Sequence, residues 1–226
     1  MQDPSTHAPD ADSRLLREQV YDQLRADMIS CQMAPGTEIR EAELAARFGF
    51  SKSPVRDALM RLEREGLVIT LPRQGYRVAP VSLPDVQDMF HLRDALERAC
   101  MERIVRRASD EQLAELEPFR SFNASDWPGG FIAYNRAFHS KLADLAGNTR
   151  MRQQLSELID QMERAVQLSL STLKRGDPQT VIAEHCQIID SLQARHLSAA
   201  QRLASRHVMQ AGKRVVQAMS RAVITG

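Results

Sequence analysis

The sequence predicts a mainly α-helical protein in two parts: an N-terminal winged helix-turn-helix with a small β-hairpin wing, then a C-terminal all-α six-helix bundle. Three observations carry this. Residues 41–74 hold two short helical patterns hinged at Phe48-Gly49-Phe50, then a β-like run that ends in a Pro/Gly turn. From Asp85 almost to the end, apolar residues recur at helical spacing and no alternating strand pattern competes. The length, 226 residues, is long for one small domain and suits two.

Composition narrows the function classes. Hydrophobic residues are 43% and charged residues 26%, ordinary for a globular protein with a sizeable core. The net charge is +1, so any nucleic-acid surface must come from a local basic patch. Residues 40–77 supply one: eight basic against five acidic side chains, 8 − 5 = +3. Cys31, Cys100 and Cys186 are far apart and form no CxxC pair, which fits free, buried thiols in a reducing compartment. No apolar run approaches membrane-spanning length and the start lacks a signal-peptide core, so the chain reads as cytoplasmic without a membrane partner. Residues 1–13 are polar and Pro-containing, and are expected to be a disordered tail.

The N-terminal domain is expected over 14–78. Ser13 can cap a first helix that runs to about Ser30, with Val20, Leu24 and Met28 on one stripe. Ala34-Pro35-Gly36-Thr37 breaks it. Glu41–Phe48 forms a second helix, and Gly49 supplies the sharp turn. In the third helix Ser53 is placed to cap and Pro54 to occupy the first position, where its missing N–H costs nothing. Val55, Leu59 and Leu62 point inward, which leaves Lys52, Ser53, Arg56 and Arg61 outside. Gly66 ends the helix, residues 67–71 form a strand, Pro72-Arg73-Gln74-Gly75 turns, and residues 76–78 return.

Such a helix enters a DNA major groove by its N-terminal end, where free N–H groups favour phosphate. Lys52, Ser53 and Arg56 stand there, within reach of guanine edges or phosphates. The wing tip, Arg73, Gln74 and Gly75, could touch the backbone or minor groove. The alternative use of the same pattern is a winged helix for protein contacts, with a solvated charged face.

The motifs Tyr21-x-x-Leu24-Arg25, Pro35-Gly36, Glu41-x-x-Leu44-Ala45, residues 51–59 (SKSPVRDAL) and Glu65-Gly66-Leu67-Val68 resemble the N-terminal domain of GntR-family bacterial transcription regulators. The resemblance spans about Val20 to Val78 and implies operator binding, with Arg56 on a contacting arginine of the family and Lys52 where an arginine is usual.

Residues 79–84, with two prolines, read as a linker, and 85–222 as the helical domain. Its helices are expected at about 85–107, 110–123, 129–146, 148–174, 178–195 and 198–222. Three of them aim a histidine along their apolar stripe: His139 beside Phe138 and Leu142, His185 amid Ile182, Ile188 and Ile189, and His207 between Leu203 and Ala211. His91 and His196 fall elsewhere. Asn135 lies one turn before His139 on the same face. Inward polar groups need partners, and three converging imidazoles suit a divalent transition metal such as Zn²⁺ or Ni²⁺. The alternative is three separate core histidines, each hydrogen-bonded locally. Arg93 sits on the stripe of Met89, Leu96 and Cys100, where it could clamp an effector carboxylate or pair with Glu97 four residues on. Glu184 adjoins His185 but is expected on another helix face, so no general base beside the histidines stands out for a metal-dependent enzyme.

The pattern Asn135-x-x-Phe138-His139, Glu184-His185, His207, with Arg93-x-x-Leu96-Glu97, resembles the FCD effector domain of FadR-type GntR regulators, and six helices its VanR-like branch. The resemblance implies a cation held by Asn135, His139, His185 and His207, with Asn135 where an aspartate is commonest, and a small carboxylate over it. It also implies a homodimer on a palindromic double-stranded operator. The reading is a ligand-responsive DNA-binding regulator, more often a repressor in such a family, and not an enzyme. A metal-free regulator that binds its effector through the histidines is the alternative.

Overall fold

The computed structural model describes residues 9–172 and 178–224, and the side chains of 15–167 and 178–220. The chain divides into two compact units, 1–81 and 82–226.

Unit 1 contains helices α1 (Pro9–Ile29), α2 (Glu41–Phe48) and α3 (Lys52–Arg64), and strands β1 (Glu38–Ile39), β2 (Val68–Leu71) and β3 (Gly75–Val78). Residues 9–13, expected in a disordered tail, are the first turn and more of α1; residues 1–8 lie outside the described residues. Val20, Leu24 and Met28 of α1 meet Val55, Leu59 and Leu62 of α3, all fully buried. Around this contact a polar set locks α1 to α3. Tyr21 Oη donates to Glu65 Oε1 at 2.6 Å, and the Arg61 guanidinium lies 3.6 Å from the centre of the Tyr21 ring. Arg61 Nη1 also donates to Glu18. This corrects one expectation: Arg61 faces α1 and is not part of an open helix-start cluster.

Gly49 takes a left-handed φ of 69° after α2, and its neighbour Phe50 donates back to the Ala45 carbonyl at 3.0 Å, which closes the helix end. The N-cap of α3 is Ser51, not Ser53, so Pro54 occupies the third helical position; its missing N–H still costs nothing within the first turn. The sheet is antiparallel with order β1-β3-β2. β1 was not foreseen because two residues give no alternation to detect. It pairs Ile39 with Tyr76, and this close pairing demands glycine at position 75. With φ at 113°, a Cβ there would lie 2.5 Å from the Ile39 carbonyl oxygen.

Unit 2 contains α4 (Leu83–Arg107), α5 (Asp110–Ala114), a 3-10 turn (Glu117–Arg120), α6 (Gly130–Leu145), α7 (Thr149–Thr172), α8 (Pro178–Gln193) and α9 (Leu197–Ile224). The bundle has six α-helices among the described residues, as the apolar periodicity predicts. α4 starts at Leu83, inside the stretch expected as linker, with Ser82 Oγ accepting from the Asp85 N–H. The single helix expected over 110–123 is broken. Pro118 has no N–H and its ring would strike the carbonyl of Ala114, where α5 ends. Gly212 lets α9 approach α4: a Cβ there would fall 2.8 Å from Phe90 Cγ. The core runs from Met101 and Ile104 on α4 through Phe138 and Leu142 on α6 to Ile188, Ile189 and Leu192 on α8.

Gly75→Ala should lower the unfolding free energy in urea by roughly 1–3 kcal/mol or more, since strain and clash act together. Gly66→Ala has positive φ but open space, and should cost only about 1 kcal/mol. Equal losses for the two would contradict the β1–β3 packing described.

Candidate functional site

Two sets of side chains draw notice, one in each unit. In unit 1, Lys52, Ser53 and Arg56 are exposed at the start of α3, and Arg73 and Gln74 are exposed at the hairpin tip. Gln74 N–H donates to the Leu71 carbonyl at 3.0 Å, and Arg73 takes a positive φ of 65°, so the tip is a tight turn. Gly75 is half-buried against β1, so its role in the wing is conformational.

Arg56 is not loose. Its Nε donates to Glu41 Oε1 at 2.9 Å and its Nη2 to Glu41 Oε2 at 2.8 Å, a two-pronged fork. Tyr76 Oη donates to the same carboxylate at 3.5 Å. The Arg56 hydrogen bonds hold the Glu41 carboxyl below its ordinary range. Glu41 opens α2, so the first residue of one helix presents an arginine of the next.

In unit 2 the structure brings His139 on α6, His185 on α8 and His207 on α9 together. One ring nitrogen from each lies within 4.8 Å of the others, and all three rings are buried. Their surroundings set which nitrogen faces inward. Tyr134 Oη donates to the Phe119 carbonyl at 2.7 Å, so at 3.0 Å it can only accept from His185 Nδ1–H. That leaves a lone pair on His185 Nε2, which has no hydrogen-bond partner among the described residues. His207 Nδ1 donates to Glu184 Oε2 at 2.6 Å. His139 Nδ1 sits 2.9 Å from Glu97 Oε1, within ion-pair distance but without the direction of a hydrogen bond. The Nε2 atoms of His139 and His207 are 3.2 Å apart, so a proton or a cation must lie between their lone pairs. Phe138 stacks on His185 with ring centres 3.8 Å apart and fixes that ring's plane.

Electrostatics point the same way. Burial, then the Arg93 guanidinium, pulls the His139 pKa down to about 4. Burial and the other two imidazoles push His185 well below its ordinary value. Both rings are therefore neutral near pH 7, the state a metal requires. Glu97 is fully buried. Burial alone would raise its pKa, but His139 and Arg93 beside it hold it below the usual carboxylate range. Arg93 Nε donates to Glu97 Oε1 at 2.7 Å, so the expected i,i+4 ion pair forms. Arg93 also lines the cavity described next.

Beside the histidines lies a cavity of about 280 Å³, lined in part by Asn135, Arg93, His207 and Arg214. His91 and His196 are exposed and lie outside the cluster.

The residue pattern alone does not reveal three of these neighbours. Glu184 was expected to face away from the histidines, but α9 packs on the face of α8 that carries it and offers His207. Tyr134 precedes Asn135 and reads as core, while its hydroxyl orients His185. Glu97 is visible as a partner for Arg93 but not for His139. The donor set fits a divalent cation: three imidazoles, with Nδ1 of His185 and His207 hydrogen-bonded to Tyr134 and Glu184, as in metal-ligating histidines generally, and Nδ1 of His139 beside Glu97. The 3.2 Å between two Nε2 atoms is the spacing of nitrogens sharing one ion at about 2.1 Å each.

Comparison with known proteins adds the family. The profile for bacterial regulatory proteins of the gntR family matches residues 16–78, and that for the FCD domain matches residues 88–210. The HTH-type transcriptional regulator YdhC of Bacillus subtilis (strain 168) is 28% identical over 194 residues, covering 84% of this chain and 86% of YdhC. The HTH-type transcriptional repressor RspR of Escherichia coli (strain K12) is 27% identical over 206 residues, covering 89% of this chain and 90% of RspR. Among solved structures, E. coli McbR/YncC superposes with a TM-score of 0.73 at 20% identity, covering 89% of this chain and 97% of that one, which shows a shared fold. These relatives are transcriptional regulators, and the metal-dependent enzyme reading is set aside on that ground. With the FCD match alone spanning more than half of its length, and the gntR match covering the winged helix, the chain belongs to the GntR family of bacterial DNA-binding transcription regulators, among those that carry an FCD domain.

Proposed function

We propose that this regulator is a cytoplasmic, homodimeric repressor that reads a palindromic operator through its winged helix and is released by a small carboxylate sensed at the histidine cluster. The observation that carries the sensing half is the unpartnered Nε2 of His185 beside two further buried imidazoles, each with a carboxylate within 3 Å of its Nδ1. His139, His185 and His207 would hold a Zn²⁺ or Ni²⁺ ion, with the Asn135 carbonyl oxygen as a fourth, uncharged ligand. A cation held there supplies positive charge facing the cavity and so favours an anionic ligand. Because Asn135 brings no negative charge, more of the ion's charge is left for the effector than an aspartate would leave. Arg93, already paired with Glu97, adds a second cationic wall.

On the DNA side, Lys52, Ser53 and Arg56 enter the major groove, with Arg73 and Gln74 on the flanking backbone. Glu41 orders the Arg56 side chain, leaving Nη1 as the donor outside that fork, and a two-pronged base contact requires Nε and Nη2 to exchange the carboxylate for DNA. Lys52 contributes a point charge where the family's arginine can make a two-pronged contact. Two such helices, related by the symmetry axis of a dimer, read two half-sites. The repressor role is supported by the likeness to RspR, a transcriptional repressor. The effector acts only if it binds the DNA-competent and DNA-released states unequally.

Arg56→Ala should weaken operator binding about tenfold to a hundredfold in a fluorescence-anisotropy titration at fixed salt, with unchanged far-UV circular dichroism. Unaltered affinity would remove α3 as the reading helix. Calorimetric titration of chelator-treated protein should show one Zn²⁺ per chain, lost in His185→Ala; full stoichiometry in that variant would rule the cluster out. Tyr134→Phe keeps every imidazole but deprives His185 Nδ1–H of its acceptor, and should lower Zn²⁺ affinity by roughly 10–100-fold.

A further inference from the structure

The walls of the cavity say more about the ligand than that it is anionic. Apolar side chains such as Phe90, Phe131, Met162 and Val215 give most of the exposed lining surface, and Asn135 and Thr180 are its uncharged polar groups besides His207. Most of the charged ones are already committed. Arg93 is paired with Glu97 at 2.7 Å, and Arg136 with Asp160 and Glu163. Arg214 is the least engaged guanidinium of the cavity among the described residues: its nearest acidic partner, Glu184 Oε2, is 4.0 Å away, and that oxygen already accepts from His207.

Position along α9 places Arg214 usefully. It lies seven residues, or two helical turns, beyond His207 on the same face, with Ala211 between them. Helical side chains lean back toward the N-terminus, so the guanidinium reaches toward the histidines, as its approach to Glu184 requires. Arg214 and His207 thus present their polar groups along one face of α9, while most of the remaining lining surface is hydrocarbon. A ligand hydroxyl or second carboxylate against that hydrocarbon would lose its water, with few uncommitted donors in the lining to replace it.

Resting on the sensing role proposed above, we propose that the effector is a monocarboxylate with an apolar body, a short to medium alkyl or aryl acid, whose single head is received by Arg214 and the histidine end. Hydroxy acids and di- or tricarboxylates are disfavoured by the mainly apolar walls. The cavity of about 280 Å³ stands at the small end of ligand pockets, roughly 300–1,000 Å³, and sets an upper limit on that body.

The test uses full-length, Zn²⁺-loaded protein and calorimetric or thermal-shift titration with straight-chain acids from acetate to octanoate, benzoate, and malate, citrate and gluconate. Affinity should rise roughly fourfold per added methylene, the equivalent of about 0.8 kcal/mol for a buried CH₂, until the cavity is full. Malate, citrate and gluconate should bind at least tenfold more weakly than hexanoate. Arg214→Gln should shift the whole alkyl series to weaker binding by a similar factor while leaving the slope per methylene and the melting temperature without ligand unchanged. Tighter binding of citrate, malate or gluconate than of the alkyl acids overturns the apolar-body assignment and leaves carboxylate sensing intact. A flat alkyl series overturns it as well. Binding of no carboxylate of either class overturns the sensing role itself.

Discussion

Three imidazoles buried at one point are the constraint around which the helical unit is arranged. A buried ring nitrogen without a partner costs about 1–3 kcal/mol, and the bundle supplies an Nδ1 hydrogen bond to His185 and His207. Tyr134 and Glu184 take the Nδ1 sides of His185 and His207, and Glu97 lies 2.9 Å from Nδ1 of His139 without a hydrogen bond. On the inner side, His185 Nε2 has no partner and the other two Nε2 atoms face each other at 3.2 Å. Apolar residues of similar size would fill the same space at lower cost. The consequences spread outward: α4 must carry Glu97 and its partner Arg93 inside the bundle, and Phe119, Phe138 and Tyr134 must pack around His185.

The winged helix obeys a local version of the same rule. A side chain that must meet DNA in one geometry gains from being held before it arrives. Glu41 holds Arg56 from the first turn of the neighbouring helix, and Tyr76 on β3 holds Glu41. Below them Leu24, Leu59 and Leu62 supply the rigid floor. The reading surface thus depends on the two-residue strand β1, since its pairing places β3 beside α2.

The mainly helical fold and the family are legible in the sequence because their signals are local: apolar stripes of period 3.6, glycine at turns, and dense motifs over a short span. The inward direction of His139, His185 and His207 is legible for the same reason, since each can be read off its own helix. What is hidden depends on neighbours. Whether three inward rings meet is a property of how α6, α8 and α9 cross, which no single stripe encodes. Glu184 is the clearest case. Its position on α8 suggests that it faces away from His185, and only the approach of α9 gives it His207. The break at Pro118 carries a signal of its own, a proline four residues after Ala114, that outweighs the apolar spacing of residues 110–123. Ser51 rather than Ser53 as the cap of α3 shows how little separates two adjacent polar starts.

The proposed regulation rests on one coupling, that occupation of the histidine end of the cavity alters DNA affinity. It is tested most directly by measuring operator affinity at fixed salt against rising hexanoate, once with Zn²⁺ and once after chelation. The account predicts that hexanoate weakens operator binding in the Zn²⁺-loaded protein and has little effect after chelation. Equal release in both, or no release in either, would contradict it.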